Sequence, residues 1–118
     1  MIMANNKLKK EYLKYRLNYL QNELNNIPKA TWERTKAQNI QVLCDNARIE
    51  EIQRLLELPT KITEFEVMLR YKEIESKPRY DDYETSSRLI ELLDLLPETH
   101  WFRKKQETDV GQNNSVSM

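Results

Sequence analysis

The joint Asn26-Ile27-Pro28-Lys29-Ala30-Thr31 divides residues 7–58 into two long segments with helical periodicity. Pro28 cannot continue a helix, because it lacks an N–H and clashes with the preceding turn. Thr31 has the residue type of an N-cap for the helix that follows. Before the joint, apolar residues alternate spacings of four and three, as in a coiled coil; they are Leu13, Leu17, Leu20, Leu24 and Ile27. The stretch therefore predicts a long antiparallel helical hairpin, coiled-coil-like, over residues 7–58.

The second arm of this hairpin is predicted to run from Trp32 to about Leu58. Its apolar positions fall into two sets that do not share one strict register, and Cys44-Asp45-Asn46 lies between them. A break at this point is the alternative, but neither Pro nor Gly interrupts the segment. We therefore predict one continuous helix, with Cys44 buried in it and Trp32 closing the end of the bundle.

A third helix is predicted after Pro59. Thr63 and Glu66 have the spacing of a capping box, in which each residue satisfies a backbone N–H of the other. The helix should begin at Glu64 and end at about Ser76, before the next proline. Its candidates for burial are Phe65, Met68, Leu69, Tyr71 and Ile74.

A fourth helix is predicted from the same capping signal at Asp81 and Glu84, and it should continue to Leu96. These two shorter helices make a C-terminal unit over residues 63–96, followed by a short terminal turn over 99–105. Residues 106–118 are polar and without period, which predicts a disordered tail. The expected fold is thus all-α, a single helical domain over residues 1–105.

The scarcity of glycine, histidine and cysteine in the sequence argues against an enzyme. The single glycine is Gly111, so the body of the chain offers no glycine-rich loop for a phosphate and no nucleophile elbow. His100 is the only histidine and Cys44 the only cysteine, so the pairs and clusters that make catalytic or metal sites are missing. The prediction is a non-enzymatic protein with no catalytic residues, no metal ligands and no cofactor.

The location of the protein is predicted from two further observations. The first residues contain no apolar run of the length that a secretory signal requires. The sequence also lacks the roughly 18 consecutive apolar residues of a membrane span. We expect a cytoplasmic protein that does not bind membranes.

Binding to a protein partner is the leading functional hypothesis. A polar chain with 32% charged residues suits long helices with narrow apolar stripes, which leave surface for a partner. Residues 1–40 carry a net charge of +5 and residues 41–100 a net charge of −6, which favours an antiparallel homodimer. The candidate partner-binding residues are Tyr12, Tyr15, Tyr19, Trp101 and Phe102. An adaptor, inhibitor or assembly factor of a phage or mobile element would suit this composition.

A nucleic-acid-associated regulator is the alternative hypothesis. Lysines and arginine alternate with tyrosines along the first helix, a combination that contacts phosphates and stacks on bases. The candidate contacts are Lys7, Lys10, Lys14 and Arg16. The net charge of the chain is zero, however, whereas nucleic-acid-binding domains are strongly basic. This alternative is therefore ranked second.

Overall fold

The computed structural model describes residues 6–77 and 82–107, and every regular element within them is helical. Five α-helices occur in these ranges: α1 (Lys10–Asn25), α2 (Lys36–Leu56), α3 (Glu64–Ser76), α4 (Tyr83–Asp94) and α5 (residues 101–107). Single 3₁₀ turns precede the first two, at Asn6–Leu8 and Thr31–Glu33. The predicted all-α fold is confirmed: a helical hairpin of α1 and α2, with shorter helices after it.

The ends of the hairpin arms differ from the prediction. The first helix begins at Lys10 rather than at Lys7, because Lys9 has an extended backbone and contributes no side-chain cap. At the joint, Ile27 is buried. Arg34 fastens the chain there, since its guanidinium donates from Nε to the carbonyl of Pro28 and from Nη2 to that of Lys29. No residue in the described ranges has a positive φ, which agrees with a body built without glycine.

The predicted start of the second helix is wrong by one turn. Thr35, not Thr31, is the N-cap of α2: its Oγ1 accepts from the backbone N–H of Gln38 at 3.1 Å, and Gln38 Oε1 accepts from the N–H of Thr35 at 2.9 Å. The residue three positions after Thr31 is Arg34, which has no acceptor to complete such a box. Trp32 is left 85% exposed and does not close the bundle.

The α2 helix itself is continuous through Cys44, as predicted. Cys44 is only partly buried, however, and its Sγ lies 3.8 Å from the carbonyl oxygen of Tyr83. The predicted burial of Cys44 is therefore not complete. The thiol lies where α2 meets the start of α4.

The third helix has the predicted bounds and the predicted capping box of Thr63 and Glu66. Its buried face is rotated from the predicted one. Phe65 and Leu69 are exposed, and the buried residues are Val67, Tyr71 and Ile74, which recur at spacings of four and three. The prediction included both neighbouring rows, and packing against α4 selected one of them.

The C-terminal helices also differ in detail from the prediction. Asp82 is the N-cap of α4, accepting from the N–H of Thr85, while the predicted cap Asp81 lies outside the described residues. The predicted short turn over 99–105 is the longer helix α5, which reaches residue 107. Gln106 and Glu107, which were predicted to belong to the tail, lie in this helix, and Gln106 is buried. Residues 108–118, for which disorder is predicted, lie outside the described part of the chain.

One hydrophobic core joins all five helices. The α2 helix packs against α1 and against α4, and α3 packs against α4. Fifteen buried side chains form one continuous cluster: Leu8, Leu13, Leu20, Ile49, Ile52, Leu55, Ile62, Val67, Tyr71, Ile74, Leu89, Leu92, Leu95, Leu96 and Phe102. Burial of this apolar surface is what holds the short C-terminal helices on the hairpin.

Candidate protein-binding surface

Large apolar side chains are exposed on several helices of the described chain. Those more than two-fifths exposed are Tyr15, Tyr19, Trp32, Leu43, Phe65, Leu69, Tyr83, Ile90 and Trp101. Single exposed apolar residues are normal on a protein surface. A binding surface requires several of them on one face, held in a defined geometry.

Trp101 is the exposed aromatic residue with the most defined surroundings. It opens α5 and is 63% exposed. The ring of His100 stacks against its indole at a centroid distance of 5.8 Å and an interplanar angle of 26°. The ring of Phe102 meets the indole edge-on at 5.7 Å and 89°. The indole is thus supported by two aromatic rings while most of its surface remains accessible.

His100 connects this indole to the beginning of α3. Its Nδ1 accepts from the backbone N–H of Phe102 at 3.2 Å, so in the neutral ring Nε2 carries the proton. That Nε2 lies 3.0 Å from Oε2 of Glu64, the first residue of α3. Phe65 follows Glu64, and Leu69 lies one turn further along α3. Trp101, Phe65 and Leu69 are all exposed, and these three residues are called the Trp101 surface below.

Phe102 was also a predicted partner-binding residue, and it lies in the core. It is 2% exposed, and its ring packs edge-on against Tyr71 at 5.2 Å. The ammonium group of Lys72 lies 5.5 Å from the centre of the same ring. Phe102 therefore anchors α5 on α3 and supports the indole of Trp101.

The predicted tyrosines of α1 form a separate set. Tyr15 and Tyr19 are exposed, whereas Tyr12 is half-buried, and its ring lies 6.3 Å from that of Tyr15. Burial raises the pKa of Tyr12 above its ordinary value. The guanidinium of Arg16 lies 5.3 Å above the ring of Tyr19. Among the described residues no ring contact joins these tyrosines to Trp101.

Three of the four candidate nucleic-acid contacts are engaged within the protein. Arg16 makes a bidentate pair with Glu91 of α4, with distances of 2.9 and 3.0 Å. Lys7 donates to the carbonyl of Asp94, and Lys10 donates to the carbonyl of Leu58. These contacts hold α1 against its neighbours. The side chain of Lys14 is exposed and makes no hydrogen bond or ion pair within the described ranges.

A buried ion-pair cluster is the feature that the sequence analysis missed. Glu51 is 1% exposed, and two arginines from two other helices donate to its carboxylate. Arg70 of α3 donates at 2.7 and 2.9 Å, and Arg88 of α4 donates at 2.6 Å. One sequence signal was available: Glu51 lies four residues after Ala47 and four before Leu55, in a buried row of α2.

The structure has a second buried carboxylate at Glu91, which binds Arg16 and lies 3.9 Å from Nε of Arg48. Nearby on α2, Asp45 is buried and its Oδ2 has no hydrogen-bond partner, and Nε of Arg48 lacks one as well. Burial raises the pKa of Asp45, and the charge of Glu23 on α1 raises it further. The interface of α1, α2 and α4 therefore contains buried polar groups, and two of their atoms lack a hydrogen-bond partner.

Comparison with known proteins adds no functional residue. No family model matches the chain, and no curated protein or solved structure is significantly similar to it.

Within residues 6–77 and 82–107, no helix has the length and hydropathy that crossing a membrane requires. The same part of the chain contains no group of three or more His, Cys, Asp or Glu residues arranged to hold a metal ion.

Proposed function

We propose that this chain is a non-enzymatic helical module for protein–protein interaction, an adaptor, inhibitor or assembly factor that binds its partner through the Trp101 surface. The observation that carries the proposal is the exposed indole of Trp101, which is supported on two sides by His100 and Phe102. Tryptophan is among the residues most enriched at binding hot spots.

The physical argument is that the indole is ordered before the partner arrives. Immobilising a flexible side chain at an interface costs about 0.5–1.5 kcal/mol. The ring of His100, which pairs with Glu64, already holds the indole in the free protein. Much of this entropy is therefore lost on folding and not on binding. Phe65 and Leu69 are exposed on α3, the helix that Glu64 opens, and we propose that they extend the apolar area for the apolar face of a partner helix.

A comparison of two tryptophan variants tests this proposal. Tagged wild type, Trp101→Ala and Trp32→Ala are each used for capture from the native source, followed by quantitative mass spectrometry. Trp32 is the matched control, since it is more exposed than Trp101. We expect a protein that wild type and Trp32→Ala retain equally and that Trp101→Ala loses by about tenfold or more. Equal retention by all three would reject the Trp101 surface.

We propose that the exposed tyrosines of α1 bind a second copy of the chain. Tyr15 is 66% exposed and lies beside Tyr19, so this face is available to a second copy. The opposite net charges of residues 1–40 and 41–100 favour an antiparallel arrangement. Light scattering should give a dimer mass for the wild type at micromolar concentration and a lower mass for Tyr15→Lys. A monomer mass for the wild type across that range would contradict a homodimer.

We propose that the protein acts in the cytoplasm. We also propose that it is a small accessory protein of a phage or mobile element. The phage or mobile-element setting is proposed from the composition of the chain. A nucleic-acid-associated regulator remains the second candidate, and Lys14 is the residue that it would use first. Salt-sensitive retention on a heparin column, weakened by Lys14→Glu, would favour that candidate over a protein partner.

A further inference from the structure

A cleft lies where the beginning of α1 meets the loop between α2 and α3. This cleft has a volume of about 700 Å³. One wall consists of residues 8–11 and the other of residues 59–63. The two walls are joined by Lys10, whose Nζ donates to the carbonyl of Leu58 at 3.2 Å. We call it the lysine cleft.

The cleft combines an apolar floor with a basic rim. Leu8 and Ile62 are buried members of the hydrophobic core, and both line it. Three lysines lie around the opening and only one carboxylate, Glu11, so the lining carries a net positive charge; the lysines are Lys9, Lys10 and Lys61. The side chains of Lys9 and Lys61 are exposed and make no hydrogen bond or ion pair within the described residues.

We propose that the lysine cleft binds a short acidic segment of a protein partner, with carboxylates on either side of an apolar side chain. The apolar side chain would cover the floor at Leu8 and Ile62, and the carboxylates would meet Lys9 and Lys61. Complementary charge around a small apolar centre is the common anatomy of a protein interface. The volume is within the range of sites that bind small ligands and peptide side chains.

A peptide suits the cleft better than a nucleic acid for two reasons. A phosphate backbone is recognised by an extended row of cations, whereas only Lys14 among the four candidate contacts has a side chain that is not already engaged within the described residues. A phosphate backbone also gains nothing from the buried apolar floor at Leu8 and Ile62.

Three synthetic peptides test the chemistry on the full chain by fluorescence polarisation. The probe is Glu-Glu-Leu-Phe-Glu-Glu with a fluorescein label at its N-terminus, and the comparison peptides carry the same label. One comparison peptide, Glu-Glu-Ser-Ser-Glu-Glu, removes the apolar part, and the other, Lys-Lys-Leu-Phe-Lys-Lys, reverses the charge. We expect the probe to bind about tenfold more tightly than either.

Two variants with the same change in net charge locate the site. Lys9→Glu with Lys61→Glu should weaken binding of the probe by about tenfold or more, since two rim charges are reversed. Lys104→Glu with Lys105→Glu makes the same change at exposed positions of α5, and it should change the affinity by less than about twofold. All four lysines are exposed, so circular dichroism should show the same helical content for both variants.

Four results would overturn the proposal. Equal weakening by the two variants would indicate a response to net charge alone, and equal binding of the serine peptide would remove the role of the apolar floor. Tighter binding of single-stranded DNA, with the same dependence on Lys9 and Lys61, would assign the cleft to nucleic acid. A dimer that only Lys9→Glu with Lys61→Glu dissociates would assign it to a second copy of the chain. The Trp101 surface is a different site, so its failure would leave this proposal standing.

Discussion

Replacing Glu51 with glutamine should destabilise the fold more than any other single change at a charged residue. The carboxylate receives three hydrogen bonds of 2.6 to 2.9 Å from Arg70 and Arg88, which belong to two different helices. Glutamine preserves the shape of the side chain but not its charge. Its amide nitrogen is a donor, and it would face the donors of a guanidinium.

The expected loss follows from burial. Removing one partner of a buried ion pair costs about 3–5 kcal/mol, because the remaining charge stays buried without compensation. Glu51 is almost fully buried, whereas Arg70 and Arg88 retain some contact with water. We therefore expect the lower end of that range, about 3 kcal/mol in the free energy of unfolding. For a domain of this size the melting temperature should fall by more than about 10 °C.

Dependence on pH tests the cause of the loss. Burial by itself would raise the pKa of Glu51, but the hydrogen bonds and charges of Arg70 and Arg88 outweigh it and lower the pKa from its ordinary value of 4.5. A carboxyl with a lowered pKa in the folded state contributes stability above its unfolded pKa, and this contribution disappears as the pH falls through the folded pKa. The difference between wild type and Glu51→Gln should therefore be full at neutral pH and shrink below about pH 4.5.

Urea denaturation across pH 3–7 measures this difference. Glu50→Gln is the matched control, since Glu50 also bonds to Arg88, at 2.6 Å, but its side chain is 62% exposed. An exposed pair contributes about 0–1 kcal/mol, so the control should lose little. Equal losses for Glu50→Gln and Glu51→Gln would refute the argument from burial. A loss for Glu51→Gln that does not change with pH would refute the argument from charge.

Further predictions concern a buried acid, a helix cap and the C-terminal boundary. Asp45→Asn should raise stability at neutral pH by about 1 kcal/mol, because burial and Glu23 raise the pKa of Asp45. For a raised pKa the contribution is full below the ordinary value of 3.8 and is lost as the pH rises through the folded pKa. Urea midpoints should therefore show the gain at pH 7 and not at pH 3, and a variant less stable than wild type at pH 7 would contradict this. Thr63→Ala should cost about 1 kcal/mol by urea denaturation, whereas Thr31→Ala should cost almost nothing; equal losses would contradict the assignment of caps. A chain that ends at Glu107 should melt as the full chain does, and a chain two residues shorter should melt lower, since Gln106 is buried. A lower melting temperature for the chain that ends at Glu107 would show that the remaining tail stabilises the fold.

Sequence reasoning predicted the helices better than their faces. The start of α3 and its capping box were predicted from Thr63 and Glu66 alone, because a reciprocal cap is a contact between neighbours in the sequence. The start of α2 was missed although Thr35 and Gln38 form the same signal, since Thr31 lies nearer to the proline. This error had a local cause, and a search for the second member of each box would have corrected it.

The candidate site was predicted only in part. Trp101 was named as a candidate from its residue type, but Phe65 and Leu69 were expected to be buried, and both are exposed. Both rows of α3 are apolar, so periodicity could not choose between them. Only the packing of α3 against α4, with Phe102 on Tyr71, leaves Phe65 and Leu69 on the outside.

The sequence by itself determined that the chain is helical and where it turns. Proline, the absence of glycine before Gly111 and the capping residues act over one or two turns, so they operate before any distant contact forms. The tertiary structure decided which charges are buried. Glu51 meets Arg70 and Arg88 across 19 and 37 residues of sequence, and Arg16 meets Glu91 across 75. Such pairs depend on how the helices are rotated against one another, and the rotation is set by the whole core rather than by any local pattern.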